Sequence, residues 1–336
     1  MKKLFNGILI PFSILAIMLY VVPALAQEAE KTKEKKRYEH FKERKISKTY
    51  PASGHTLNID NSFGDVVVTT GGSEIKVDIH IEVSSTDREH MEKIFSNIDV
   101  ADSKSGSNLY FKTTTNKDDK KGYGCKNCQS NMSINYTVQL PANTPLNIEN
   151  SFGSIKMPDY NGPVKLISKF GSLTTGSLAK TEKLHVEFGK ADIKSTGNAS
   201  CEFKFSNINI GNLGGSSKLN MEFCSASKIG LSADLTGLTV RESYSTLNLR
   251  PAANLSASYT IHTSFGSVKN KTNADIKRTD EPDRYGPDSD KTYEGKSGSG
   301  SVKVDIKSSF GHIIIGEATA EEMDTKNKNK NKSKVI

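Results

Sequence analysis

Apolar and polar residues alternate along most of this chain in short runs, and a recurring aromatic corner punctuates them. The string NSFGDVVV at 61–68 returns as NSFGSIKM at 150–157, SKFGSLTT at 168–175, VEFGKADI at 186–193, TSFGSVKN at 263–270 and SSFGHIII at 308–315. Looser copies carry Phe205, Phe223 and Tyr244, so the anchors are Phe63, Phe152, Phe170, Phe188, Phe205, Phe223, Tyr244, Phe265 and Phe310. From Phe152 to Phe223 the steps are 18, 18, 17 and 18 residues, then 21, 21 and 45. Before a corner apolar side chains usually stand at −6, −4 and 0, as in Leu146, Ile148 and Phe152; after it they resume at +3 and +5, as in Ile155 and Met157. Both sides have the period of two expected of strands. The parity flips across the anchor, so the inward set stays inward only if the chain bends there, and Gly follows six of the nine anchors.

Two short strands and a bend in each 18-residue unit, repeated without helices, predict an all-β fold: a parallel β-solenoid whose coils stack to share one narrow core. An antiparallel sandwich is the rival arrangement, but it gives no reason for an aromatic corner to stay in phase over successive units. The solenoid is placed at 146–320, with a hydrophilic insertion loop at 271–299. In register, the residues just before four successive anchors, Lys169, Glu187, Lys204 and Glu222, form an outward ladder of alternating charge. These four and the insertion loop are the first candidates for a binding surface.

Residues 51–145 read differently, as an N-terminal β/α cap over the open end of the stack. Strands are predicted at 57–61, 65–70, 75–83, 109–115 and 132–140. One short helix is predicted at 87–98, opened by a capping box of Thr86 and Glu89. Ahead of the cap, residues 1–26 have the form of a secretory signal: Lys2 and Lys3, an apolar run, then Ala24-Leu25-Ala26. An uncleaved membrane anchor is the alternative. Residues 27–50 read as a charged linker and 321–336 as a basic tail. The product is expected in the periplasm or at the cell surface.

Charge then changes the picture of partners. Lys and Arg number 46 against 38 Asp and Glu, a net charge of +8 that would ordinarily suggest nucleic acid. Signal, linker and the terminal TKNKNKNKSKVI carry more than that whole excess, which leaves residues 51–325 at −3. Nucleic acid is therefore not expected as a partner, whereas the basic ends could touch an anionic membrane or polymer. Hydrophobic residues make up 35% of the chain, which suits a core one coil wide.

Candidate chemistry is sparse. Cys125 and Cys128 form a C-x-x-C pair in a Gly/Lys/Asn loop, open to reading as a local disulfide, a half-site for metal or a redox pair. Cys201 falls at an inward position and Cys224 on a corner, too far out of phase to bond to each other. The seven histidines show no metal-binding spacing, and His185 and His262 are expected at the solvated surface. No cofactor fingerprint or nucleophile elbow appears. A carbohydrate-active β-helix enzyme would need acids clustered across coils, and Glu187 and Asp192 are the residues to test for it.

The stretch INYTVQLPANTPLNIENSFGSIKM, the repeated S-F-G corners and the closing KSGSGSVKVDIKSSFGHIIIG resemble the putative-adhesin domain family of bacterial envelope proteins. The resemblance covers roughly residues 52–318, with departures at Ser206, Cys224 and Ser245. It implies an exported, solenoid-like protein that is no enzyme and brings no catalytic or cofactor-binding residues. A binding or structural role toward a surface protein or glycan follows as the expectation, with an envelope scaffold or sensor as the alternative.

Overall fold

The structure is a computed structural model that describes residues 37–115, 125, 127–282 and 287–323. The signal sequence and nearly all of the basic tail lie outside them. The described chain is nearly all β: its strands join one hydrogen-bonded sheet, accompanied by the short helices Arg88–Ser96 and Ala320–Met323.

Each aromatic corner separates two strands, and both pair in parallel with those of the neighbouring repeat. Leu146–Ser151 and Ser154–Met157, flanking Phe152, pair with the strands on either side of Phe170. The pattern continues through the Phe188, Phe205, Phe223 and Tyr244 repeats. Leu146, Ile148, Ile155, Leu166, Leu173 and Leu184 are fully buried between the two faces. Register sets Lys169 opposite Glu187, Glu187 opposite Lys204, and Lys204 opposite Glu222.

The anchor itself departs from the sequence pattern. Alternation places it inward, yet eight of the nine rings are 45–57% exposed. The inward place is taken by the residue two positions earlier, such as Asn150, Ser168 or Val186. The cause is backbone conformation: all nine anchors adopt left-handed φ values between +49° and +68°, which turn the ring out of the core. The rings then stack on one another with centroids 4.6–5.2 Å apart and planes within 7°.

The following glycine serves close approach rather than the bend. A Cβ on Gly171 would lie 1.9 Å from the carbonyl oxygen of Gly153, and one on Gly153 equally close to Gly64. Where the corner lacks glycine, a small polar side chain bonds the nearby backbone instead. Ser206 Oγ donates to Lys204 O at 2.7 Å, Cys224 Sγ to Phe203 O at 3.3 Å, and Ser245 Oγ to Ser243 O at 2.9 Å.

Both ends differ from the expected organisation. Thr56–Ser62 and Val66–Thr70, expected in the cap, pair in parallel with the Phe152 repeat and so form the first member of the stack. Their other edge is covered by Asn108–Thr115 and Ser130–Leu140. The segment read as a charged linker supplies a strand, His40–Pro51, paired along its length with Glu74–Ser85. Its alternate side chains are half-buried, and Arg44 reaches Ile98 O at 2.8 Å, so a charged strand is held at a sheet edge. Ile98–Ser105 is a further, unexpected strand. The helix is capped by Asp87, which accepts from His90 N at 2.7 Å, one residue later than the capping box implies.

At the far end the last repeat folds back. The strands around Phe310, Val302–Ser309 and His312–Ile315, lie between the Tyr244 and Phe265 repeats, so spatial order is not chain order. The 271–299 insertion is not wholly loop. Asp290–Lys296 runs antiparallel along Ala257–Ser264, and Asp275–Arg278 pairs outside it.

Candidate functional site

Two positions before each anchor face outward from the strand, at −1 and −3, and across the last five repeats they line a groove of about 790 Å³. Asp290, Lys291 and Thr292, from the antiparallel strand, complete its lining. In spatial order the −3 row reads Glu202, Asn220, Arg241, Lys307 and His262, each opposite the next in the pairing register. The −1 row reads Lys204, Glu222, Ser243, Ser309 and Ser264 in the same register. Because strands fix these side chains at regular steps, the groove offers a periodic set of donors and acceptors rather than a closed pocket. A smaller hollow of about 510 Å³ lies at the first repeats, with Asp60, Lys112, Glu149 and Lys165 among its lining residues.

Of the four residues singled out from sequence, Lys204 and Glu222 line the groove and lie 3.6 Å apart as an ion pair. Lys169 and Glu187 follow the same row but line neither hollow. Lys169 Nζ turns to Glu149 at 2.7 Å, a hydrogen bond that raises its pKa. Glu187 lies 3.6 Å from His185. His185 is not at the solvated surface: it is buried between Glu187 and Glu202. His262 is exposed, with Nδ1 3.1 Å from Thr292 Oγ1.

Three acids of the outer strands are held by basic or amide partners. Glu202 lies 3.2 Å from Lys183 and Glu222 3.6 Å from Lys204, while Asp192 accepts from Asn209 at 2.9 Å. Glu242 is the carboxyl most displaced toward protonation: burial pushes its pKa up to about 7. It accepts from the Ser308 hydroxyl and from Ser245 N at 3.2 Å, on the side where a Cβ at Gly311 would strike its Oε1. It is thus a buried group beneath the groove, held by the core.

Cys125 and Cys128 are joined as a disulfide, with Cα atoms 5.4 Å apart. A carboxylate oxygen of Asp87 and the two sulfurs all lie within 4.8 Å of one another, so the reduced pair with Asp87 could supply three ligands to a soft metal. A second such group, Glu43, His80 and Glu82, spans the paired strands His40–Pro51 and Glu74–Ser85. Cys201 and Cys224 are buried and unbonded, and burial pushes the Cys201 thiol up to about 12.

Arg241 and Lys307 were not among the residues expected to matter. Their signal is present in the sequence, since −3 before Tyr244, Phe265 and Phe310 is Arg241, His262 and Lys307. What hides it is chain order, which separates Arg241 from Lys307 by the Phe265 repeat.

No protein-family model and no curated protein matches the chain. Among solved structures, it is similar to a putative cell adhesion protein from Clostridium sporogenes at 14% identity, covering 82% of this chain and 100% of that one, with a TM-score of 0.27. A putative adhesin from Bacteroides fragilis aligns at 14% identity over 81% and 97%, with a TM-score of 0.42. A putative lipid binding protein from Parabacteroides distasonis aligns at 10% over 83% and 98%, with a TM-score of 0.37. No helix among the described residues is long and apolar enough to cross a membrane.

Proposed function

We propose that the chain is an exported, non-catalytic β-solenoid of the bacterial envelope that binds an extended, linear ligand along its outer face. One observation carries this reading: the 790 Å³ groove crosses five parallel repeats in a single register, so equivalent side chains recur at each strand step. A linear glycan, whose sugar rings repeat at nearly the strand spacing, fits that periodicity. The pairing of successive repeats on both sides of each corner supports the solenoid. The Cys125–Cys128 bond suits an oxidising compartment. Glu202 and Glu222 are held by lysine partners and Glu242 by Ser308 and Ser245 N, which supports binding over hydrolysis.

The test is calorimetric titration of the full exported chain with linear oligosaccharides of increasing length, followed by sizing of the sugar. Affinity should rise with length until the five repeats are spanned, and the oligosaccharide should be recovered intact. Affinity independent of length would refute the groove reading, and shortened products would refute the non-catalytic one.

A further inference from the structure

We infer that the groove's ligand is an acidic glycan and that Arg241, Lys307 and His262 form its anion-binding centre. This rests on the groove reading above and specifies the ligand's chemistry.

Charge pairing along the outer face carries the inference. Many facing charges on this face are opposite: Lys169 and Glu187, Glu187 and Lys204, Lys204 and Glu222, and Lys112 with Asp60 at 3.0 Å. Where like charges do face each other, Asp60 opposite Glu149 and Lys165 opposite Lys183, an ion pair relieves them: Asp60 with Lys112 at 3.0 Å, Glu149 with Lys169 at 2.7 Å and Lys183 with Glu202 at 3.2 Å. One place has no such relief. Arg241 stands directly opposite Lys307, and Lys307 directly opposite His262. Strands are about 4.8 Å apart, and like charges at that separation destabilise a sheet. No ion pair among the described residues relieves Arg241 or Lys307. Yet acids are plentiful, since residues 51–325 carry a net −3. A repulsion left standing inside a groove is one that an incoming anion relieves.

The surroundings define where that anion sits. On the same three strands the adjacent outward residues are Ser243, Ser309 and Ser264, a row of hydroxyls able to donate to an oxyanion. Glu222 faces Ser243 from one end of this row, and Asp290 faces Ser264 from the other. These two carboxylates repel an acid group placed off centre and so confine it to the middle strands. Arg241 supplies a planar fork matched to carboxylate or sulfate, and Lys307 a point charge beside it. The neighbouring Tyr244, Phe310 and Phe265 stack face to face, 4.9 and 5.0 Å apart. Both faces of Tyr244 and Phe310 are taken by neighbouring rings, so the corner offers no run of ring faces for successive bases, and this favours an acidic glycan over single-stranded nucleic acid.

The experiment titrates the full chain with oligogalacturonate, a sulfated galactan oligomer, a neutral β-glucan of equal length, and oligothymidylate. Both acidic sugars should bind at least tenfold tighter than the neutral one, and the tighter of the two identifies carboxylate or sulfate. The double variant Arg241→Gln/Lys307→Gln should lose at least tenfold for acidic sugars, while Lys169→Gln, outside the groove, leaves affinity unchanged. Lys307→Gln should also raise the thermal midpoint of the free protein by relieving repulsion, a result that loss of structure cannot produce. Equal binding of neutral and acidic sugars overturns this inference while leaving the groove reading intact. Absence of any glycan binding overturns both. Tighter binding of oligothymidylate, full affinity in the double variant, or a lowered midpoint for Lys307→Gln each overturns the assignment of the anion-binding centre.

Discussion

Truncating Phe188 should reverse the usual order of alanine and glycine in a strand. Its ring is 45% exposed and stacks on Phe170 at 5.0 Å and Phe205 at 4.6 Å. Each stack contributes about 0.5–1.5 kcal/mol. Half-burial of the ring adds about 1 kcal/mol, so Phe188→Ala should cost about 2–4 kcal/mol. Alanine still has to occupy φ +52°. The left-handed conformation costs a residue with a Cβ about 1–2 kcal/mol. Glycine avoids that, at an unfolded-state entropy cost of about 0.4–1 kcal/mol. Phe188→Gly should therefore be about 0.5–1 kcal/mol more stable than Phe188→Ala, whereas glycine inside a regular strand is the less stable of the two. Urea denaturation of both variants, followed by circular dichroism, measures the difference. An alanine variant as stable as the glycine one would refute left-handed strain as the determinant of the corner. A Phe188→Ala cost below about 0.5 kcal/mol would refute the contribution of ring stacking.

Two further outcomes are expected. Glu242 has its carboxyl pKa raised by burial from 4.5 to about 7, so it favours the folded state fully only below 4.5, and that contribution is lost as pH rises through about 7. Thermal midpoints measured on either side of that window should fall with rising pH in the wild type and fall less in Glu242→Gln; equal slopes would count against the buried carboxyl. Thiol titration without reductant should find no reactive thiol in the native described fold and two, Cys201 and Cys224, in denaturant. Four thiols under denaturing conditions would mean that Cys125 and Cys128 are reduced, and binding of stoichiometric zinc would then point to the metal reading with Asp87.

The repeat was legible because burial imposes period two: Leu146, Ile148, Ile155 and Met157 announce their inward positions through side-chain type alone. The anchor was not, because side-chain type says nothing of φ, and an aromatic residue in the left-handed region breaks the alternation it appears to continue. The glycines were visible, but their reason lies across the stack in a neighbour's carbonyl oxygen, a contact no local pattern contains. His40–Pro51 escaped notice because its stability comes from edge pairing and ion pairs instead of an apolar stripe; Lys48, for example, lies 3.1 Å from Asp102. In the groove, Lys204 and Glu222 were reachable by counting back from the corner. Arg241 beside Lys307 depends on a strand inserted out of sequence order, which counting along the chain cannot reveal.

That inserted strand also sets a timetable. Repeats from Phe63 to Tyr244 can be laid down as the chain emerges, each finding its neighbour already in place. Ala257–Ser264 cannot: one of its edges waits for Asp290–Lys296 and the other for Val302–Ser309. A chain stopped before residue 302 would leave the Tyr244 repeat with an open edge and the Phe265 repeat with no connection to the stack. The segment 302–315 thus acts as a keystone, and only a chain translated past it can close this end of the sheet.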